Sequence, residues 1–282
     1  MKIVSTIPEM RSRSREARLR ASTIGLVPTM GALHEGHLLL VRAARSKSDL
    51  VVASIFVNPT QFGPNEDYAR YPRNLQEDCA LFEREGVDMV FAPSVEEMYP
   101  AADDATWIVV EGMNNRLCGR SRPGHFRGVT TVVAKLFHIV EPDLAFFGQK
   151  DAAQAAIIRR MVRDLNMPVT IEVCPIVREA DGLALSSRNA YLDTHQRQAA
   201  LTLYRSLMRA REIFDQGERE AAKLMAAAKT ELAREPAVRL DYWEIVDPNT
   251  LEPEPTIRKQ ALAAVAAFVG NTRLIDNILL EP

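Results

Sequence analysis

Up to about position 177 the chain alternates short apolar, β-branched runs with longer stretches of helical periodicity, and this alternation is what most narrows the fold. Stretches 24–28, 50–57, 88–92, 143–147 and 169–173 are rich in Val, Ile and Phe and predict strands buried on both faces, as in a parallel sheet. Helices are predicted between them at 35–47, 74–85, 128–140 and 150–165. In the last of these, Ala155, Ile158, Val162 and Leu165 form one core-facing stripe, and Pro168 ends it. Repeated strand–helix units predict a doubly wound, Rossmann-like α/β sheet, with its ligand crevice beyond the carboxyl ends of the strands.

After Asp181-Gly182 the rhythm changes. Helical stretches at 194–214 and 218–234 precede strand-like runs at 241–246, 260–269 and 274–280, and Gly270-Asn271-Thr272 has the chemistry of a hairpin turn. The expectation is a Rossmann-like domain over 1–177 and a smaller α+β domain over 178–282, which suits a length of 282 residues.

Charge and cysteine usage remove several classes of function. Lys+Arg number 35 and Asp+Glu 37, a formal charge of -2, so nothing electrostatic favours nucleic acid or an anionic membrane as the main partner. Cys79, Cys118 and Cys174 lie far apart without a C-x-x-C pair and read as reduced, structural thiols. The longest apolar run, 262–269, has eight residues against the roughly 20 a membrane span needs. Residues 1–10 do not read as a signal peptide. A soluble cytoplasmic protein acting on small molecules is expected.

Four segments at predicted strand ends carry candidate chemistry. Pro28 to His37 offers two imidazoles, His34 and His37, beside Gly31 and Gly36 at a helix start, where N–H groups favour an anion. The glycine spacing fits a P-loop, but His37 and Leu38 stand where Lys and Ser/Thr are required, so that reading is rejected. A metal site on the two histidines lacks a third ligand of matching spacing, and a plain surface pair is the bland alternative. Asn58 and Gln61 offer amides for a hydroxyl or carboxylate, although Asn before Pro59 is also an ordinary turn signal. At the third strand end Gly148 leaves room for a bulky ligand, Lys150 brings a cation, and Asp151 suits either a helix cap or ribose hydroxyls, with Gln154 one turn on. Ser186, Ser187 and Arg188 form a compact oxyanion-binding set. A fifth, basic loop runs from Arg122 to Gly128 ahead of a Val-rich helix, where a small branched acid or plain core packing would fit. Together the groups suit a nucleoside triphosphate, with amides left for a polar cosubstrate.

The strings PTMGALHEGHL, FVNPTQF, YPRNLQED, SRPGHFRGV, FGQKDAAQ and VREADGLALSSRNAYL, with the closing GNTRLIDN, resemble the pantothenate synthetase (pantoate–β-alanine ligase) family in order and spacing. HxGH alone would indicate only the wider nucleotidylyltransferase superfamily. The resemblance implies that ATP and (R)-pantoate form pantoyl adenylate and pyrophosphate, and that β-alanine then displaces AMP. It implies an ATP site lined by Met30, Gly31, Ala32, Leu33, His34, Glu35, Gly36 and His37. Gly148, Gln149, Lys150 and Asp151 would surround ribose and phosphate, Val177 would meet adenine through its backbone, and Leu185, Ser186, Ser187 and Arg188 would close over the triphosphate. His37, His34, Lys150 and Arg188 are the expected catalytic groups. Gln61 and Gln154 would hold pantoate with Asn58 nearby, Mg²⁺ would accompany ATP with Asp78 on the protein side, and the chain would form a homodimer. Gln149, Thr60 and Ala153 depart from the family pattern, which often has Glu, Met and Gln there. The competing readings are a related nucleotidylyltransferase that stops at nucleotidyl transfer and a nucleotide-binding sensor without turnover.

Overall fold

The computed structural model describes residues 1–64, 66–100 and 106–282. In chain order the elements are β1 (Lys2–Val4), α1 (Ile7–Leu19), β2 (Ile24–Thr29), α2 (Glu35–Lys47), β3 (Leu50–Ile55), α3 (Leu75–Arg84), β4 (Met89–Phe91), α4 (Val95–Met98), α5 (Cys118–Ser121), α6 (His125–Val140), β5 (Leu144–Gly148), α7 (Ala152–Asp164), β6 (Thr170–Cys174), α8 (Thr194–Asp215), α9 (Ala221–Leu232), β7 (Val238–Val246), β8 (Ala261–Val269) and β9 (Thr272–Leu280). They fall into two compact units. One holds Met1–Asn114, Arg122–Gly148 and Ile157–Pro175; the other holds Asn115–Ser121, Gln149–Ala156 and Ile176–Pro282.

The first unit is a six-stranded parallel sheet in the order β1-β4-β3-β2-β5-β6. Strand order reverses between β2 and β5, which makes their carboxyl ends the switch point at which such sheets bind ligands. Val27, Val51, Ala53, Val90 and Phe146 from four neighbouring strands pack with Leu40, Val41 and Ala44 of α2 and Phe82 of α3, all buried. Continuous apolar strands are stable here because helices cover the sheet. Where β2 leaves the sheet, Thr29 is level with Ile55 of β3. The segments that follow these two strands therefore start side by side.

The second unit is a three-stranded antiparallel sheet, β7-β8-β9, with α8 and α9. Val269 faces Thr272 across a two-residue hairpin, as the Gly270-Asn271 signal predicts. Trp243, Ile245, Ala263 and Val265 share a buried cluster with Leu203, Leu207 and Phe214 of α8 and Leu224 of α9, and the Trp243 indole donates to Ser206 Oγ at 3.0 Å. Burial of this set, at ~25 cal/mol per Å² of apolar surface, is the main force holding the unit together. Cys79, Cys118 and Cys174 are free and buried. Among the described residues no helix is long and apolar enough to cross a membrane.

Candidate functional site

In the first unit the loop after β2 is built around one carboxylate. Gly31 and Ala32 both have positive φ, 81° and 52°, a turn that aims the N–H groups of Ala32 and Leu33 at Asp78, with N···O distances of 3.0 and 2.9 Å. Asp78, 3% exposed at the start of α3, thus anchors the loop from 46 residues away. A Cβ at position 31 would stand 2.7 Å from Asp78 Oδ2, so the glycine is required by the carboxylate as well as by its φ. Burial pushes the Asp78 carboxyl up, against the pull of the two N–H donors.

Asp78 was the residue expected to meet Mg²⁺. Both of its oxygens accept from backbone, and among the described residues no group of three or more His, Cys, Asp or Glu is placed to hold a metal ion. The donor set fits a cation carried on nucleotide phosphates and water, with the protein supplying few or no ligands.

The H-x-G-H string has a local logic of its own. His34 is the N-cap of α2, and its Nδ1 accepts from Gly36 N at 3.1 Å, while His37 Nδ1 accepts from His34 N at 3.3 Å. The two imidazoles close a reciprocal capping box, with ring centroids 4.1 Å apart. A Cβ at 36 would come within 2.8–2.9 Å of the His34 ring, so only glycine lets that ring fold over the helix start. Because each Nδ1 is an acceptor, the neutral rings carry their proton on Nε2. Both histidines are thereby set as Nε2 donors on a helix terminus that itself favours negative charge.

The segment after β3 is held just as firmly. Asn58 is 1% exposed. Its Nδ2 donates to Gln61 Oε1 at 3.1 Å and to the Gly128 carbonyl at 3.2 Å, and its Oδ1 accepts from Thr60 Oγ1 and Tyr99 Oη, both at 2.9 Å. Expected beside the substrate, Asn58 spends its amide on orienting Gln61. Gln61 is half-buried, and its Nε2 reaches Met30 Sδ at 3.1 Å, which joins the two strand-end segments. The basic loop expected at 122–128 is partly neutralised. Arg122 forms a two-pronged pair with Glu66 at 2.5 and 2.8 Å and lies 3.0 Å from His125 Nε2, and His125 Nδ1 lies 2.8 Å from the Gln61 carbonyl. Burial raises the Glu66 carboxyl, but the Arg122 hydrogen bonds and charge outweigh it and leave Glu66 below the usual range. Glu66 and Tyr99 gave no signal in the sequence, since their roles depend on partners 56 and 41 residues away.

Gly148 closes β5 with nothing within 4 Å of the position its Cβ would take. The chain then turns through a short 3₁₀ segment, Gln149–Asp151, into α7.

In the second unit that turn is fastened to β9: Asn277 Nδ2 donates to the carbonyls of Gln149 and Lys150, both at 3.0 Å, and Gln149 Nε2 donates to Asn277 Oδ1 at 3.1 Å. Lys150 Nζ lies 3.7 Å from Asp151. Gln154 is half-buried on α7, and Ala153, where the family pattern often has Gln, is 7% exposed among core residues. Residues 177–185 fold back on themselves, with Leu185 N donating to the Val177 carbonyl at 3.0 Å, and this brings together two residues expected at the nucleotide. Arg178 pairs with Asp276 through two bonds of 2.6 and 2.8 Å and donates to the Gly182 carbonyl at 3.0 Å. Burial lifts the Asp276 carboxyl despite Arg178. Ser186 caps the short turn Ser187–Tyr191 by accepting from Arg188 N at 3.2 Å. Each unit therefore assembles its own share of the expected groups: His34, His37, Met30 and Gln61 in the first, Lys150, Val177, Leu185 and the Ser186–Arg188 turn in the second.

The family model described as pantoate-β-alanine ligase matches residues 2–279. A pantothenate synthetase from Koribacter versatilis is 60% identical over 281 residues, covering all of this chain and 96% of the relative. One from Thermotoga petrophila is 59% identical, covering 99% of this chain and all of the relative. Among solved structures, pantothenate synthetase from Thermus thermophilus matches with a TM-score of 0.94 at 49% identity, with complete coverage of both chains. The Francisella tularensis pantoate-β-alanine ligase, solved with β,γ-ATP and β-alanine, matches with a TM-score of 0.81 at 35% identity, covering 99% of this chain and 97% of that one.

Proposed function

The chain belongs to the pantoate–β-alanine ligase family, and from that premise we propose that it condenses (R)-pantoate with β-alanine through a pantoyl adenylate. The pantoate carboxylate attacks the α-phosphorus of ATP and pyrophosphate leaves. The β-alanine amine then attacks the acyl carbon, AMP departs, and the nitrogen gives up a proton as the amide forms. Charge spreads over phosphoryl oxygens in the first step, so the protein's task is positioning and electrostatic stabilisation.

The observation that carries this reading is the pair of imidazoles locked at the β2 carboxyl edge. Their Nδ1 atoms accept from backbone, which puts the ring proton on Nε2, and in this reading Nε2 is the atom that serves phosphate. Gln61, fixed by Asn58 and next to Met30, offers its amide to the pantoate hydroxyl and carboxylate. In this reading Lys150 serves the transferred phosphoryl group, with His37, His34 and Arg188 on the phosphates. Ser186, Ser187 and Leu185 line the triphosphate, and Val177 meets adenine. Gly148, Gln149 and Asp151 take the ribose side, and Gln154 shares pantoate with Gln61. Mg²⁺ neutralises part of the triphosphate charge when bound. Asp78 contributes by holding the loop that bears the histidines. A homodimer, as the family resemblance implies, and a cytoplasmic location, as the sequence suggests, belong to the same reading.

The purified protein should release AMP from ATP in sustained turnover only when pantoate and β-alanine are both supplied, and His37→Ala or Lys150→Ala should lower that turnover by about 10²-fold or more. Pyrophosphate release with an unrelated acceptor would favour the nucleotidylyltransferase alternative. Nucleotide binding without turnover would favour a sensor.

A further inference from the structure

Neither Asp276 nor Asn277 has a part in the chemistry above, yet these neighbours on β9 are 4% and 3% exposed. Burying two adjacent polar side chains in a strand is costly unless each is fully paired, and apolar residues there would serve stability as well or better. Their partners explain them. Asn277 grips the turn that carries Lys150 at both the Gln149 and Lys150 carbonyls and accepts from the Gln149 side chain. Two of these bonds fix the backbone from which the Lys150 side chain departs, and the third holds the Gln149 side chain beside it. Asp276 accepts from Asn277 N at 2.7 Å and holds both prongs of Arg178 at the root of the 177–188 loop, while Arg178 Nη2 also donates to the Asn277 carbonyl at 3.2 Å. Arg178 is braced further by the Tyr204 ring, 4.5 Å away. One strand thus ties together two segments whose side chains have separate tasks.

We propose that Asn277 is a positioning residue for Lys150, with Asp276 and Arg178 as its supports, so that β9 sets the aim of the cation on the transferred phosphoryl group. The proposal rests on the reading of Lys150 given above. Its test is a double-mutant cycle on ATP turnover with pantoate and β-alanine, using the wild type, Asn277→Ala, Lys150→Ala and the double variant of the full chain. Asn277→Ala is expected to lower kcat about 10-fold or more, as loss of an outer orienting group commonly does, with the KM for β-alanine unchanged. On the Lys150→Ala background the same change should cost less than about twofold, because the group it aims is gone. Equal fold losses on both backgrounds, or no loss on the wild type, would overturn the proposal, since general loosening of the fold acts on either background alike. If Asn277→Ala proves unfolded by circular dichroism, Asn277→Asp goes through the same cycle; it keeps the volume and the Oδ1 acceptor but removes both donors. Wild-type turnover left intact by Lys150→Ala would sink the reading of Lys150 itself, and the proposal with it. Low Lys150→Ala activity with additive Asn277 effects would sink the proposal alone.

Discussion

Replacing Gly128 by alanine tests how closely the Gln61 amide, proposed to hold pantoate, is kept in place. Helix α6 passes so near the turn after β3 that a Cβ at 128 would lie 2.3 Å from the Thr60 carbonyl oxygen, 2.5 Å from its carbon and 2.7 Å from Gln61 N. Unstrained contacts of this kind need about 3.5 Å, so the helix or the turn must yield by about 1 Å. All three obstacles are backbone, and no rotamer change relieves them. The turn yields first, because hydrogen bonds hold it whereas α6 is locked by Phe126, Val129, Val132 and Val133 in the core. Moving it stretches the bond from Asn58 to the Gly128 carbonyl and carries Gln61 away from its place beside Met30. Overpacking of this size costs about 1–3 kcal/mol of stability, and a 1 Å misplacement of a substrate-positioning group costs up to about 10²-fold in rate. Thermal unfolding and steady-state kinetics with varied pantoate measure the two effects. Gly63→Ala in the same loop is the control, since its Cβ would meet Glu66 at an ordinary 3.7 Å. A Gly128→Ala enzyme with a lowered Tm but kcat and pantoate KM within about twofold of wild type would refute the argument that this contact sets Gln61.

Three other perturbations separate binding from stability. Gly148→Ala adds a methyl where nothing lies within 4 Å; it should leave the melting temperature unchanged and raise the KM for ATP about 10-fold or more, and an unchanged KM would show that ligand does not use that space. Asp78→Asn keeps one acceptor for Ala32 and Leu33 but turns an amide N–H₂ toward the other donor, so stability should fall by about 1–3 kcal/mol and turnover with it, whereas a fully stable variant with altered Mg²⁺ dependence would favour the metal role over the anchoring one. Glu66 has its folded-state pKa depressed below the ordinary 4.5, so the stability it contributes is complete above that value and is lost as the pH falls through the depressed one. Unfolding curves should therefore show a shallower acid limb for Glu66→Gln than for wild type, and superimposable limbs would count against the Glu66–Arg122 pair as a source of that stability.

The elements with an internal period were legible in the sequence, and the ones whose reason lies elsewhere in the chain were not. Helix α2 and strands β2, β3 and β5 carry their own pattern and stand within a few residues of where it places them. Strand β1 is three residues long, begins with an exposed lysine, and is a strand only because β4 pairs with it. Helix α1 buries little beyond Met10 and Ser14, so it has no apolar stripe to read. The site divides the same way. His34, Gly36 and His37 explain one another at spacings of two and three, which is why the H-x-G-H string announces itself. Asp78, Asn58 and Asn277 look from sequence like a metal ligand, a substrate contact and the end of a family string with no assigned task. In the fold each carries hydrogen bonds that fix another group: the histidine loop, Gln61 and the Lys150 turn. A polar side chain that acts on a ligand tends to sit in a local motif, because backbone shape and chemistry are needed together. One that acts on another residue needs only a partner across space. The second kind becomes visible only when burial shows that its polar groups must be paired, and here that accounting leads to β9 and the cation it steadies.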